Sequence, residues 1–334
     1  MSPTTEVQAR AQQLHGVTLA DLSNQAVVGA DSISFPSAQA PSRTFRVDVG
    51  GLTLAAYEWG ATENPPILLV HGGFDFARTF DVLAGYFVAA GFRVVAWDQR
   101  NHGDSDPSPM AGMNADFRDA AMVVDAVSKT PFPILGHSKG GSIALRLAEA
   151  WPHRFSHVVN IDGIPTRRNA PDMAETERAR QLATDVRSWL DLRRDIAGKE
   201  RKPDTFEGLA RRRARMNPRL THEWLCHLVA TGARHDADGW RWKVDPLMRM
   251  GGFGPYRPEW TLESLYTVGM PFLGILATVD EPMGWATSRA DLAAAPSNVS
   301  IVEMPDTGHF VHIERPEDTA GLALEFLAAH GCRP

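Results

Sequence analysis

One short stretch concentrates the chemistry of this chain. Residues 131–147 read Pro-Phe-Pro-Ile-Leu-Gly-His-Ser-Lys-Gly-Gly-Ser-Ile-Ala-Leu-Arg-Leu. An apolar run suited to a buried strand ends in Gly136-His137-Ser138-Lys139-Gly140-Gly141, and an Ala/Leu-rich helical pattern starts at once. The spacing predicts a strand, a sharp turn and a helix. Gly136 and Gly140 suit a turn that brings the two backbones so close that a side chain would clash. Ser138 is then left at the apex, and the amide of Lys139 opens the helix as a free donor at the positive end of the dipole. A hydroxyl placed this way can attack a carbonyl carbon. It is a poor nucleophile at neutral pH, so it needs a base beside it and a third group to hold that base. A serine that merely caps the helix would leave the chain's other motifs unexplained.

The pattern resembles the nucleophile elbow of the α/β-hydrolase superfamily. Two further motifs carry the resemblance. His71-Gly72-Gly73 follows the apolar run 67–70, where the superfamily keeps its second oxyanion-hole donor. Asp98-Gln99-Arg100-Asn101-His102-Gly103-Asp104-Ser105 matches a segment that usually reads Asp-x-Arg-Gly-His-Gly-x-Ser. Asn101 replaces the first glycine there, a change that Asn's tolerance of left-handed backbone accommodates. The resemblance implies that the amides of Gly73 and Lys139 stabilise the oxyanion, with the Phe74 amide as a fallback, and that His71 and His102 are structural.

The superfamily's order is serine, acid, histidine. Gly308-His309-Phe310-Val311-His312-Ile313-Glu314-Arg315-Pro316 resembles its base loop, which makes His309 the base and leaves His312 a packing role. Asp280, just past the apolar run 272–276, is the expected orienting acid. Asp162, after the strand at 158–161, is the alternative, and Glu281 adjoins Asp280. Any of these carboxylates could instead make only local turn hydrogen bonds. A serine at the elbow argues against haloalkane dehalogenases and epoxide hydrolases, which use aspartate there. Carboxylesterases, lactonases, amidases, thioesterases and carbon–carbon bond hydrolases remain, as does a non-catalytic ligand sensor of the same fold. The expectation is hydrolysis of a carboxylic ester or lactone through an acyl-enzyme on Ser138, on a bulky apolar or aromatic substrate.

Residues 44–49 and 52–57 flank Gly50-Gly51 as a hairpin. Continuous apolar runs at 67–70, 92–97, 132–135, 158–161, 272–276 and 299–303 alternate with helical patterns at 77–90 and 114–128. Such alternation predicts an α/β fold with a mostly parallel central sheet flanked by helices. The expected division is a core of residues 41–163 and 263–334, an inserted helical cap at 164–262, and an N-terminal extension at 1–40 with a short helix at 5–14. Cap helices are predicted at 173–196, 206–216 and 221–231, with a Gly/Pro-rich return at 251–258. The cap is basic, with 20 Lys/Arg against 14 Asp/Glu. Its tryptophans Trp189, Trp224, Trp240 and Trp242, with Phe74 of the core, are candidates for substrate contact.

A net charge of -6 argues against nucleic acid as a partner. No run of about 18 apolar residues predicts a membrane span. The N-terminus shows no basic segment followed by an apolar one, so a cytoplasmic location is expected. Cys226 and Cys332 match no metal or redox spacing and the histidines show no ligand spacing, so neither a metal nor another cofactor is expected. The expected partner is a small-molecule ester or lactone. Association into a homo-oligomer through the N-terminal arm stays open.

Overall fold

The structure is a computed structural model that describes residues 37–166, 175–196, 201–249, 258–281 and 283–334. The expected helix at 5–14 and the return at 251–257 lie outside these residues. The first four strands are β1 (Arg43–Asp48), β2 (Thr53–Trp59), β3 (Pro66–Val70) and β4 (Arg93–Trp97). A 3-10 turn (Ala77–Phe80) and helix α1 (Leu83–Ala89) lie between β3 and β4, where one longer helix was predicted. Then come α2 (Met113–Val127), β5 (Phe132–His137), α3 (Lys139–Ala150) and β6 (Phe155–Ile161). The stretch beyond β6 holds α4 (Glu175–Ile196), α5 (Phe206–Met216), α6 (His222–Gly232), the hairpin β7 (Ala233–Asp236) and β8 (Gly239–Trp242), and α7 (Pro258–Thr267). The chain closes with β9 (Phe272–Ala277), β10 (Val299–Met304), α8 (Val311–Glu314) and α9 (Pro316–Ala329).

Eight strands form one sheet in the order β1-β2-β4-β3-β5-β6-β9-β10. The β1–β2 and β2–β4 pairs are antiparallel and the remaining pairs parallel. The fold is that of an α/β-hydrolase. Central strands read as continuous apolar runs because both faces are covered. In β3, Leu68 and Val70 join an apolar cluster with Val123, Ile143 and Leu265 of the helices on one face. Ile67 and Leu69 join another, with Phe87, Val311 and Phe326, on the opposite face. The two-residue period of the strand divides four consecutive apolar residues between two cores.

Two helices of the insertion start at threonine caps. The Thr205 hydroxyl accepts from the Gly208 amide (3.0 Å) and that of Thr221 from the Trp224 amide (3.3 Å), each satisfying a donor that the first helical turn leaves unpaired. Leu209, Trp224, Leu228 and Val229 of these helices share a buried cluster with Phe76, Phe310 and Ile313. Residues after β6 therefore pack against the loops that follow β3 and β10. The boundary expected at 262/263 falls inside α7. Leu265 is fully buried in the sheet's own core and the Ser264 hydroxyl donates to Glu149 of α3. This helix belongs to the layer over the sheet, where the sequence reading divided it between insertion and core.

Candidate active site

Ser138 stands between β5 and α3 with φ 54° and ψ -122°, a conformation that non-glycine residues seldom adopt. The elbow is held on both sides. The Ser138 amide donates to the Ile161 carbonyl (2.9 Å), and its carbonyl accepts from the Gly141 amide (2.9 Å). A Cβ on Gly136 would lie 2.3 Å from the Gly140 oxygen, and one on Gly140 would lie 2.1 Å from the Val70 oxygen. Only glycine lets strand, turn and helix close this tightly.

The His309 ring arrives from the loop after β10. Its Nε2 lies 2.9 Å from the Ser138 hydroxyl and its Nδ1 lies 2.6 Å from Asp162 Oδ2. With Nδ1–H donating to the carboxylate, Nε2 keeps the lone pair that can accept the serine proton. Ser138 is 9% exposed, Asp162 3% and His309 1%, so water competes little for these bonds.

The carboxylate on His309 is that of Asp162, and the expectation that Asp280 would occupy this place is corrected. β6 and β9 are parallel neighbours and end at the same edge of the sheet. Asp162 follows β6 directly at φ 45°. Its amide donates to the Ile275 carbonyl (2.7 Å) and its Oδ1 accepts from the Ala277 amide (3.1 Å), which leaves Oδ2 for the imidazole. After β9 the chain turns away, because the amides of Thr278 and Val279 both donate to the Thr307 carbonyl (3.2 and 3.0 Å). Asp280 comes to rest exposed, beside a cavity of about 230 Å³ that it lines with Asp162, Thr287 and Glu303.

Glu281, next in the chain, is 7% exposed and accepts from the His309 amide at 2.7 Å. The His309 carbonyl in turn accepts from His137 Nε2 at 2.9 Å. His309 is thereby fixed at its backbone as well as its ring. These two contacts join positions 28 and 172 residues apart, and no local pattern announces them.

Gly73 and Lys139 are neighbours across the site, since a Cβ on Gly73 would stand 3.8 Å from Lys139 Cδ. Among the described residues the Gly73 amide has no acceptor, whereas the Phe74 amide donates to His102 Nε2 (3.2 Å). Lys139 opens α3, so its amide has no intrahelical partner. Its ammonium meets Asp116 at 2.7 Å. The loop rests on two buried histidines. His71 Nε2 accepts from the Gln99 amide (2.9 Å), and His102 Nδ1 donates to the Arg100 carbonyl (2.8 Å). Burial holds His102 down to about 3 and His71 well below the ordinary histidine range. Asn101 takes the left-handed conformation that its neighbours' pattern requires (φ 66°) and accepts from the Ser108 amide.

Of the aromatic candidates, Phe74 is 36% exposed beside Gly73. Trp224 is corrected to a packing role, because it is 3% exposed within the cluster around Phe76 and Leu228. Trp240 meets Phe206 edge-on (5.2 Å), and Trp189 lies under the Arg193 guanidinium (5.0 Å). Trp242 lines a cavity of about 360 Å³ with Asn101, Arg201, Arg241 and Lys243. Arg213 of α5, which the sequence reading passed over, donates to the Phe74 carbonyl (3.1 Å), pairs with Asp75 (3.3 Å) and covers the Phe310 ring (5.4 Å). One guanidinium thus ties α5 to both the loop after β3 and the loop after β10.

Comparison with known proteins agrees with the fold. The model of the alpha/beta hydrolase fold matches residues 65–316, and the chain belongs to that family. It is 26% identical over 276 residues to the sn-1-specific diacylglycerol lipase ABHD11 of Mus musculus, across 80% of this chain and 83% of that protein. Among solved structures it is similar to a hypothetical protein of Pseudomonas aeruginosa PAO1, with TM-score 0.71 and 25% identity, over 87% of this chain and 99% of that one. The thioesterase domain from the curacin biosynthetic pathway is similar in fold, with TM-score 0.69 and 20% identity over 84% and 98% of the two chains. Elbow, base and acid form the arrangement of a serine hydrolase.

Proposed function

We propose that this chain hydrolyses a carboxylic ester through an acyl-enzyme on Ser138, with His309 as general base and Asp162 as the acid that orients it. The observation that carries the reading is the unbroken hydrogen-bond line from Ser138 through His309 to Asp162, at 2.9 and 2.6 Å. His309 takes the hydroxyl proton as Oγ attacks, and Asp162 stabilises the imidazolium. His309 then returns the proton to the leaving alkoxide. The amides of Gly73 and Lys139 receive the oxyanion. The exposed Phe74 ring offers an apolar wall, and the segment after β6, tied down by Arg213, supplies more of the substrate's surroundings. These features favour a substrate with an apolar portion, and the likeness to a lipase that acts on diacylglycerol supports an acyl ester over an amide.

A p-nitrophenyl ester series of increasing acyl length, with Ser138→Ala as control, tests the reading. We expect turnover that depends on Ser138, and stoichiometric labelling of Ser138 by a fluorophosphonate. Labelling of a different serine, or equal hydrolysis by the Ser138→Ala protein, would remove the assignment.

A further inference from the structure

Three side chains beside the base, absent from the mechanism above, converge on one another. Asp75, His137 and His312 are each at most 1% exposed, and their ligand atoms lie within 4.8 Å of one another. Asp75 Oδ2, His137 Nδ1 and both ring nitrogens of His312 have no hydrogen-bond partner among the described residues. Burying even one such atom unpaired is unfavourable, so a group of them in one place points to something that pairs them together.

The surrounding bonds fix which atoms are free. Because His137 Nε2 donates to the His309 carbonyl (2.9 Å), Nδ1 must carry the lone pair, and it faces into the cluster. A backbone carbonyl on the far nitrogen is the support that metal-binding imidazoles commonly have. Gly72 leaves room in front of this nitrogen, where a Cβ would stand at 3.0 Å. The His137 and His312 rings are 4.3 Å apart between centroids. Asp75 gives Oδ1 to Arg213 (3.3 Å) and keeps Oδ2 for the cluster. Phe80 and Phe310 pack against the two imidazoles.

We propose that Asp75, His137 and His312 bind one divalent transition-metal ion of the zinc or cobalt kind through Asp75 Oδ2, His137 Nδ1 and a ring nitrogen of His312. Two imidazoles and a carboxylate suit such an ion, and a water would complete four-coordination. The ligands come from the loop after β3, the last residue of β5 and helix α8, which is why no spacing in the sequence announces the site. The ion is not needed for the hydrolysis proposed above. The His137 and His309 ring centroids are 4.8 Å apart, so a bound dication would stand close to the ring that must become cationic during acyl transfer, and occupancy would inhibit. This last consequence rests on the catalytic reading; the binding itself does not.

Metal-free protein would be equilibrated for hours with Co²⁺, because the ligands are buried, and its visible absorption and metal stoichiometry measured, followed by Zn²⁺ competition. One ion per chain is expected, with the intense visible bands of four-coordinate cobalt, displaced by Zn²⁺. Asp75→Asn and His312→Gln, each checked for a cooperative melt, should weaken binding at least about tenfold. Ester turnover should fall at least about tenfold on loading, recover with chelator, and stay insensitive to metal in His312→Gln. A single buried water could also pair these atoms. Absence of stoichiometric metal after equilibration would show that, and would overturn the site, as would binding unchanged in both variants. Binding without inhibition would overturn the regulatory consequence alone. A chain that binds cobalt as described but hydrolyses no ester would fail the catalytic reading while keeping the metal site.

Discussion

Asp162 and Asp280 end neighbouring parallel strands, and a carboxylate at either place could reach the loop that bears His309. What separates them is one turn. Asp162 is pinned between two strands by its own backbone and by Oδ1, with Oδ2 on the imidazole, while Asp280 is carried outward. Asp162→Asn should therefore lower kcat by about 10⁴, the scale for a triad histidine held in the wrong tautomer, with KM little changed. Asp280→Asn should change kcat/KM by less than about threefold. Steady-state kinetics on one ester decide it, and the reverse ranking would give the role back to Asp280. Ser138 and His309 were legible in the sequence because each sits in a local motif whose spacing reports a turn. The acid was not, because the competing aspartates carry equivalent local signals and the choice is made by which strand end faces the histidine. Glu281 and Arg213 act through long-range contacts, with no signal in the residues around them.

At the scale of elements, the strand rhythm was readable because continuous apolar runs of about five residues belong to strands covered on both faces. The helices between β6 and the β7–β8 hairpin were readable through their helical patterns at 173–196, 206–216 and 221–231. The β7–β8 hairpin was not, because its strands have only four residues each, and the Trp240-Arg241-Trp242 alternation in β8 is too short to stand out beside the polar Arg234-His235-Asp236 of β7. The elbow offers a sharp test of element packing. Gly140→Ala would drive a Cβ to 2.1 Å from the Val70 oxygen, and because strand and helix backbones must separate, we expect a loss of about 3 kcal/mol or more. Gly321, inside α9, has nothing within 4 Å of a Cβ. Gly321→Ala should stabilise by about 0.5–1 kcal/mol through helix propensity and a less flexible unfolded chain. Denaturant melts of the two variants should move in opposite directions, and equal shifts would mean that the elbow can relax.

For the molecule as a whole, the buried network under the loop after β3 predicts how stability depends on pH. His71 and His102 are held neutral by burial, far below the ordinary histidine value, His102 down to about 3. Unfolding restores that value, so the unfolded chain takes up a proton at each as pH falls below about 6.5, and the folded chain does not. Stability is then full above about 6.5 and is lost progressively as pH falls towards 3. Asp98 acts in the opposite sense. Burial pushes it up to about 6, although the Ala77 and Asp104 amides and the Tyr57 hydroxyl donate to it. The folded state therefore holds a proton between about 6 and 4 that the unfolded chain releases, which offsets one histidine. Two protons gained against one lost leave about one net proton taken up on unfolding near pH 5.5, or about 1.4 kcal/mol lost per pH unit from this network. His102→Gln should flatten that slope, because the amide oxygen can still accept from the Phe74 amide but carries no titrating group. Chemical denaturation at pH 7, 6 and 5 measures the slope directly. A slope unchanged in His102→Gln would mean that His102 protonates in place and that burial does not keep it neutral.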